Sequence, residues 1–504
     1  MRRRVAWLIG LHLLTTAVLL GRLLVLTVLP DEGPAGRAGH GVRLRAQAEH
    51  LLTWTVDDGR GRIRYRNGQP VSDADPLFGA VGLPDRWPDP HRPVMEQGRS
   101  GLQLTFDRVL QSRRAERVGV LEDAAGTPRG LVYRVAADPG WDLRTTLDPA
   151  WQRVAASALA DYGVREGAVV VLDVATGSAL AMASRSPRGA ITAVRAYTPG
   201  SVFKLVTAAA ATASYRYRGS DRFICRGAVE QPGIRMRCWR VHGEETLTDA
   251  LAASCDVAFA EVGAALGRRA FEEMASRLRL EGVPLQRLSG RPVLAEAEPG
   301  RVFGAPGDDP GRLANTAIGQ QDVRLSPLAA ANLVRTIAAG GVAHPVRLVE
   351  GAEREGRLVA FPRDPDRRVL SPYVAGWLAA AMREAVVSPL GTAHALAGLP
   401  VTCAVKTGTA ERPDGRVNAW VAGFMPAERP VVAFCVLVAG EPAAVGHRQA
   451  FGVTSDLVRA IARFDPRAAR PKIGRDVERN ALPSSGIDSM MVRGWSREKR
   501  LPKE

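Results

Sequence analysis

The chain has 504 residues, with 68 Lys and Arg against 52 Asp and Glu, a net charge of +16 and a hydrophobic fraction of 46%. That suits a globular chain of roughly two to four domains with sizeable cores. The positive charges are scattered and no nucleic-acid motif accompanies them, which sets nucleic acid aside in favour of an anionic membrane surface or cell wall.

The N-terminus reads Met1-Arg2-Arg3-Arg4 and runs into a mainly apolar stretch from Val5 to Leu29. At about 1.5 Å per residue this stretch spans a bilayer. Arginines before it, and no Ala-x-Ala site close behind it, predict an uncleaved single-pass anchor over 5–29. Residues 1–4 are then a cytoplasmic stub and the bulk of the chain lies outside the cell membrane. Arg22, near the outer end, can snorkel.

Residues 30–142 are expected to form an exposed linker and a small β-rich pedestal. The linker opens with Pro30, Asp31, Glu32, Gly33 and Pro34; beyond it, short apolar stretches are broken by Pro and Gly.

A denser domain is expected over 143–465. Asp148-Pro149 reads as an N-cap and first helical position, with Gly163 ending the helix. An apolar strand is predicted at Ala168–Asp173, a turn at Val174–Gly177 and a returning strand at Ser178–Ala183. Ser326-Pro327 and Ser371-Pro372 start further helices, and Gly340 closes the first of them. Three late strands are predicted at Thr402–Thr409, Arg416–Phe424 and Val431–Val438, then a helix over Thr454–Phe464. Two strands before a long helical insertion and three after it, joined by short turns, predict a five-stranded antiparallel sheet. With helices on both faces this is an α/β (α+β) domain. Residues 466–504 are polar and basic and are expected to be a disordered tail.

The five cysteines, Cys225, Cys238, Cys255, Cys403 and Cys435, show no CxxC or Cys/His spacing for a metal, so no metal or cofactor is expected. Cys225 and Cys238 either pair across a short loop or remain two free thiols. Cys403 and Cys435 read as core, and His242 as a loop residue. Trp239, Trp377 and Trp420 are expected to pack in the core or line a cleft rim.

Five lysines stand against 63 arginines, and only Lys204 and Lys406 precede Arg470. Where a generic positive charge suffices, this chain uses Arg. The two body lysines therefore mark positions where an amine able to lose its proton is needed. Ser201-Val202-Phe203-Lys204 follows Thr198-Pro199-Gly200 and opens an apolar helical run. Ser201 is placed at a helix N-terminus, where free N–H groups suit a developing oxyanion, and Lys204 one turn later can activate its hydroxyl. Ser254-Cys255-Asp256 falls at a break between two helices. Lys406-Thr407-Gly408-Thr409 lies on a strand, where glycine lets another backbone or a substrate approach. Ser496-Arg497-Glu498-Lys499 also fits S-x-x-K, but no apolar helix follows it, and it reads as a decoy.

The order S-x-x-K, S-x-D, K-T-G resembles the serine acyl-transferase set of β-lactamases and penicillin-binding proteins. The chain as a whole is similar to class B high-molecular-weight penicillin-binding proteins, in particular to penicillin-binding protein A-like members. These are monofunctional peptidoglycan D,D-transpeptidases. The resemblance takes in the anchor and Gly59-Arg60-Gly61-Arg62-Ile63-Arg64-Tyr65-Arg66-Asn67-Gly68, similar to the family's R-G-x-I-x-D-R-N-G segment with Tyr65 in place of Asp. It continues through Thr145-Thr146-Leu147-Asp148 and Ile318-Gly319-Gln320 to Asn418-Ala419-Trp420-Val421-Ala422-Gly423-Phe424.

The resemblance implies a β-lactamase/transpeptidase-like fold and a role for each motif residue. Ser201 is then the acylated nucleophile, Lys204 its base and Ser254 a proton relay. Lys406 orients the relay and keeps Lys204 partly neutral by like-charge repulsion. Asp256 (often Asn in the family), Thr407, Gly408 and Thr409 bind substrate, and the backbone N–H groups of Ser201 and Thr409 form the oxyanion hole. Implied partners are peptidoglycan stem peptides, β-lactams and a membrane polymerase of the shape–elongation–division–sporulation type. Rival readings are a D,D-carboxypeptidase, a β-lactamase-like hydrolase and an inactive cell-wall scaffold. A hydrolase needs a group that activates water, and Glu166, before the first strand of the fold, is in the wrong place for it.

Overall fold

The structure is a computed structural model that describes residues 16–19, 51–71, 75–79, 81–82, 96–122 and 128–464. The expected tail lies outside these residues, as does nearly all of the expected anchor. Among the described residues no helix is long and apolar enough to cross a membrane.

The helix starts read from sequence form as their capping chemistry dictates. Asp148 accepts from the N–H groups of Ala150 and Trp151 and opens α1 (Pro149–Asp161). A strand buried on both faces reads as an unbroken apolar run, and Ala168 to Leu172 is such a run. It lies in β1 (Gly167–Asp173), which turns back as β2 (Ala179–Arg185). The helical insertion follows, with α2 (Lys204–Ala213), α3 (Leu247–Ala252), α4 (Asp256–Leu266), α5 (Pro310–Ala317), α6 (Pro327–Ala338) and α7 (Pro372–Val387). Ser326 and Ser371 cap α6 and α7 through the N–H groups of Ala329 and Val374. Then come β3 (Ala404–Glu411), β4 (Val417–Met425), β5 (Val432–Glu441) and α8 (Ala443–Phe464).

The five strands form one sheet in the order β3-β4-β5-β1-β2, antiparallel throughout. Alternate residues feed two cores. Val169, Val171, Val421 and Val436 pack with Trp151 and Leu159 of α1 and Leu457 of α8. Val170, Leu172, Trp420 and Leu437 pack with the α2, α6 and α7 side, including Val206, Leu328 and Leu378. Both faces of the sheet are therefore covered, and β3 is left as an edge strand.

The last helix begins at Ala443, well before the expected Thr454. Gly452 lets the helix pack closely: a β-carbon there would come within 2.3 Å of Tyr162 Cε1.

N-terminal to the sheet domain, Leu51–Asp57, Glu116–Glu122 and Pro128–Val135 pair antiparallel in a three-stranded sheet. Ile63–Arg64 runs parallel to Asp142–Thr145, which pairs in turn with Val349–Arg354. The segment with Tyr65 in place of Asp still turns, its carbonyl accepting the Gly68 N–H at 2.9 Å.

Candidate active site

Ser201 lies in a 3-10 turn, Gly200–Phe203, that leads into α2; the α-helix proper starts at Lys204, one turn later than the sequence suggested. Gly200 has φ of +53°, and a β-carbon there would come 2.3 Å from the Thr409 carbonyl oxygen of β3. Gly408 answers it from the strand: its β-carbon would meet the Pro199 carbonyl oxygen at 2.5 Å. The two glycines bring the nucleophile turn flush against the edge strand. Trp420 of β4 fixes the same turn from beneath, its Nε1 donating to the Thr198 carbonyl at 3.0 Å. The Gly319 carbonyl accepts from the Gly200 N–H at 3.0 Å, which brings the Ile318-Gly319-Gln320 segment into the site.

The residues of α2 from Lys204 to Thr212 are all buried, so Lys204 is drawn wholly out of solvent. Ser254 stands between α3 and α4 with φ of +58°. A non-glycine residue held there costs about 1–3 kcal/mol, and such strain gathers at functional sites. Its hydroxyl lies 2.8 Å from Lys406 Nζ and 3.3 Å from Lys204 Nζ. Lys204 also donates to the Ser254 carbonyl at 2.7 Å and to Asp256 Oδ1 at 2.8 Å. Lys406, equally buried, gives its other hydrogen bond to the Thr407 carbonyl at 2.9 Å. Among the described residues no carboxylate pairs with Lys406. Burial, and after it the Lys204 charge, hold its ammonium well below the ordinary lysine range, with Asp256 acting weakly the other way.

Above these amines lies a cleft of about 860 Å³. It is lined by Ser201, Ser254, Asp256, Thr407, Gly408 and Thr409, so every residue expected to act on or bind substrate borders one space, with both lysines directly beneath. Sequence reasoning did not find Asn315, Thr392 or His447, which also line the cleft. Thr407 Oγ1 donates to Thr392 Oγ1 at 2.8 Å, and Thr409 Oγ1 lies 2.8 Å from His447 Nε2. Burial pushes the His447 imidazole down, which favours its neutral form. These residues come from α5, from the loop after α7 and from α8, and they carry no local motif.

Trp239 and Trp420 border the cleft, while Trp377 packs on α3 through a 3.0 Å bond to Thr248. Glu166 accepts the Tyr197 hydroxyl at 2.8 Å and does not line the cleft. Cys225 and Cys238 are not bridged, and none of the five cysteines forms a disulfide. Both face the His242 ring, Nδ1 lying 3.4 Å from Cys225 Sγ and 3.5 Å from Cys238 Sγ, and Cys255 joins the same group. A grouping of three thiols and an imidazole departs from the sequence expectation of no metal-ligand set. The spacing gave no signal because the four residues meet through the tertiary fold; the pairing of Arg222–Cys225 with Gly243–Thr246 brings Cys225 beside His242.

A serine bordering the cleft, two buried amines bonded to a second hydroxyl and an edge strand beside the cleft are the features of a serine acyl-transferase site. Residues 167–462 match the penicillin binding protein transpeptidase domain, and the chain belongs to that family. It is a class B penicillin-binding protein similar to peptidoglycan D,D-transpeptidase PbpA of Mycobacterium tuberculosis, at 30% identity over 68% of this chain and 78% of that protein. PbpA of Mycolicibacterium smegmatis is also 30% identical, over 77% of this chain and 82% of its own length. The solved imipenem acyl-enzyme complex of penicillin-binding protein A from M. tuberculosis superposes with a TM-score of 0.60 at 25% identity, covering 80% of this chain and 98% of that one.

Proposed function

We propose that this protein is a serine D,D-transpeptidase that cross-links peptidoglycan stem peptides in cell-wall synthesis, and that β-lactams acylate it. The observation that carries the reading is the Ser254 hydroxyl, 2.8 Å from one buried lysine and 3.3 Å from the other, beneath a cleft bordered by Ser201. The hydroxyl can accept a proton from one amine while giving its own to the other. In the resting arrangement Lys204 is the paired cation and Lys406 the amine whose charge burial disfavours. A proton passed from Lys204 through Ser254 to Lys406 frees the Lys204 lone pair. Lys204 then takes the Ser201 proton as Ser201 Oγ attacks the carbonyl of a D-Ala-D-Ala stem peptide. The oxyanion is received by the N–H groups of Ser201 and Thr409. The carbonyl–nitrogen bond breaks, the departing D-Ala amine takes the proton, and the acyl group remains on Ser201 as an ester. An acceptor amine then attacks the ester and restores the serine.

Thr407 and Thr409, with hydroxyls held by Thr392 and His447, support recognition of the substrate carboxylate and side-chain amide. The open edge of β3 suits an extended peptide. The basic flank and apolar run at 1–29 support a single-pass anchor with the catalytic domain outside the membrane, working beside a membrane polymerase of the shape–elongation–division–sporulation type. A D,D-carboxypeptidase would use the same acyl-enzyme with water as acceptor.

Labelling with fluorescent penicillin, followed by mass spectrometry of the acylated peptide, tests the site: the tag is expected on Ser201. A tag on Ser254, or none under conditions that label a control enzyme, overturns the reading. Product analysis with and without an amine acceptor separates transfer from hydrolysis.

A further inference from the structure

Cys225, Cys238, His242 and Cys255 turn one ligand atom each toward a common point, all within 4.8 Å of one another. Three thiols and one imidazole are a donor set that selects a soft, tetrahedral cation. With metal–sulfur bonds near 2.3 Å and metal–nitrogen bonds near 2.05 Å, a tetrahedral zinc ion sets nitrogen and sulfur about 3.6 Å apart. The His242 Nδ1 distances to Cys225 and Cys238, 3.4 and 3.5 Å, already lie close to that.

Backbone donors also reach the sulfurs. The Asp256 N–H lies 3.2 Å from Cys238 Sγ and the Ala258 N–H 3.4 Å from Cys255 Sγ, an arrangement that favours thiolates. Cys225 and Cys255 are buried, and Cys238 and His242 are half-buried, so a bound ion would be largely shielded from solvent.

We propose that these four residues bind one Zn²⁺ as a closed structural site. Zinc displaces the three thiol protons, takes Nδ1 of His242 and leaves no coordination position open for water, which makes it a fastener rather than a catalyst. What it fastens is specific. Cys225 ends the strand Arg222–Cys225, Cys238 follows Ile234–Arg237, and His242 directly precedes Gly243–Thr246. Cys255 lies between Ser254 and Asp256. One ion therefore ties the hairpin region to the loop that carries the relay hydroxyl and the carboxylate paired with Lys204. Trp239, between two of the ligands, stands edge-on to the His242 ring at 5.4 Å and donates to the Ala253 carbonyl at 3.2 Å, so the fastening reaches the cleft wall.

The site is tested on the full chain by metal analysis, which does not depend on the catalytic reading. Protein from zinc-supplemented cells is expected to hold about one zinc per chain after gel filtration, and Cys225→Ser and His242→Ala to lose it. Cobalt substitution should give thiolate-to-cobalt charge transfer and intense tetrahedral d–d bands, a signature that depends on ligation and not on folding alone. A wild-type chain that stays zinc-free after equimolar zinc is added, or that labels with penicillin while carrying a Cys225–Cys238 disulfide, overturns the site. Stripping the metal with a chelator should lower the penicillin acylation rate roughly tenfold or more, and returned zinc should restore it, since small misplacements of catalytic groups are costly. Unchanged acylation after stripping overturns the link to Ser254 and Asp256.

Discussion

Lys204 Nζ and Asp256 Oδ1 lie 2.8 Å apart, and the lysine is wholly buried. The carboxylate halves the charge that two buried ammonium groups would otherwise hold in one place. It also raises Lys406, against the burial that lowers it. Asp256→Asn removes that influence and pushes the Lys406 amine further down. The limb of the acylation rate profile that requires a neutral amine should move to lower pH. Second-order acylation rates with a fluorescent penicillin across a pH series check this; a shift to higher pH, or none, contradicts the assigned coupling.

Lys204→Arg keeps a positive charge and a helix-compatible side chain, but a guanidinium does not give up its proton. Acylation should fall by ~10²–10⁴, the usual cost of losing a positioned base. A thermal melt run alongside separates this from unfolding. Lys406→Arg should be comparably damaging, because a guanidinium that stays protonated cannot receive the proton passed through Ser254.

Lys406→Met should abolish acylation and change how stability depends on pH. The folded chain holds Lys406 well below the ordinary value of 10.5, which the unfolded chain keeps. Between the depressed value and 10.5 the unfolded state binds more protons, so wild-type stability rises with pH across that window. The variant lacks this contribution. Its melting temperature relative to wild type should therefore be highest on the acid side of that window and decline as pH rises through it toward 10.5. A difference that is flat or grows with pH would refute a depressed Lys406.

Gly408→Ala puts a methyl group 2.5 Å from the Pro199 carbonyl oxygen and 2.9 Å from Val202 Cγ2. Overpacking of this kind costs about 1–3 kcal/mol, read as a lower melting temperature. Because the strain falls on the turn that carries Ser201, acylation should drop by about tenfold or more in the protein that remains folded.

The catalytic motifs and the sheet were legible because their signals are local. Asp148, Ser326 and Ser371 announce helix starts, an unbroken run such as Ala168–Leu172 announces a strand covered on both faces, and Ser201 stands three residues before Lys204 in the turn that leads into the helix. The cleft walls were not legible. His447 and Thr392 meet Thr409 and Thr407 across 38 and 15 residues of chain, and nothing near either residue marks it. The early start of the last helix was hidden for a related reason: glycine weakens a helix in isolation, and only the Tyr162 ring, far off in sequence, accounts for Gly452. Cys225 and His242 of the thiol and imidazole group needed a strand register, Cys225 opposite Gly243, to be seen as neighbours.

The burial of both body lysines also shapes the outer surface. No other lysine precedes Arg470, and Lys204 and Lys406 are wholly enclosed. Every long cationic side chain exposed on the folded body therefore ends in a guanidinium, which stays protonated and is a poor nucleophile. An acyl-enzyme carrying a reactive ester at Ser201 thus meets no lysine amine on neighbouring copies of its own catalytic domain. Amine-directed cross-linkers or dyes should therefore find no exposed lysine on the folded body before Arg470.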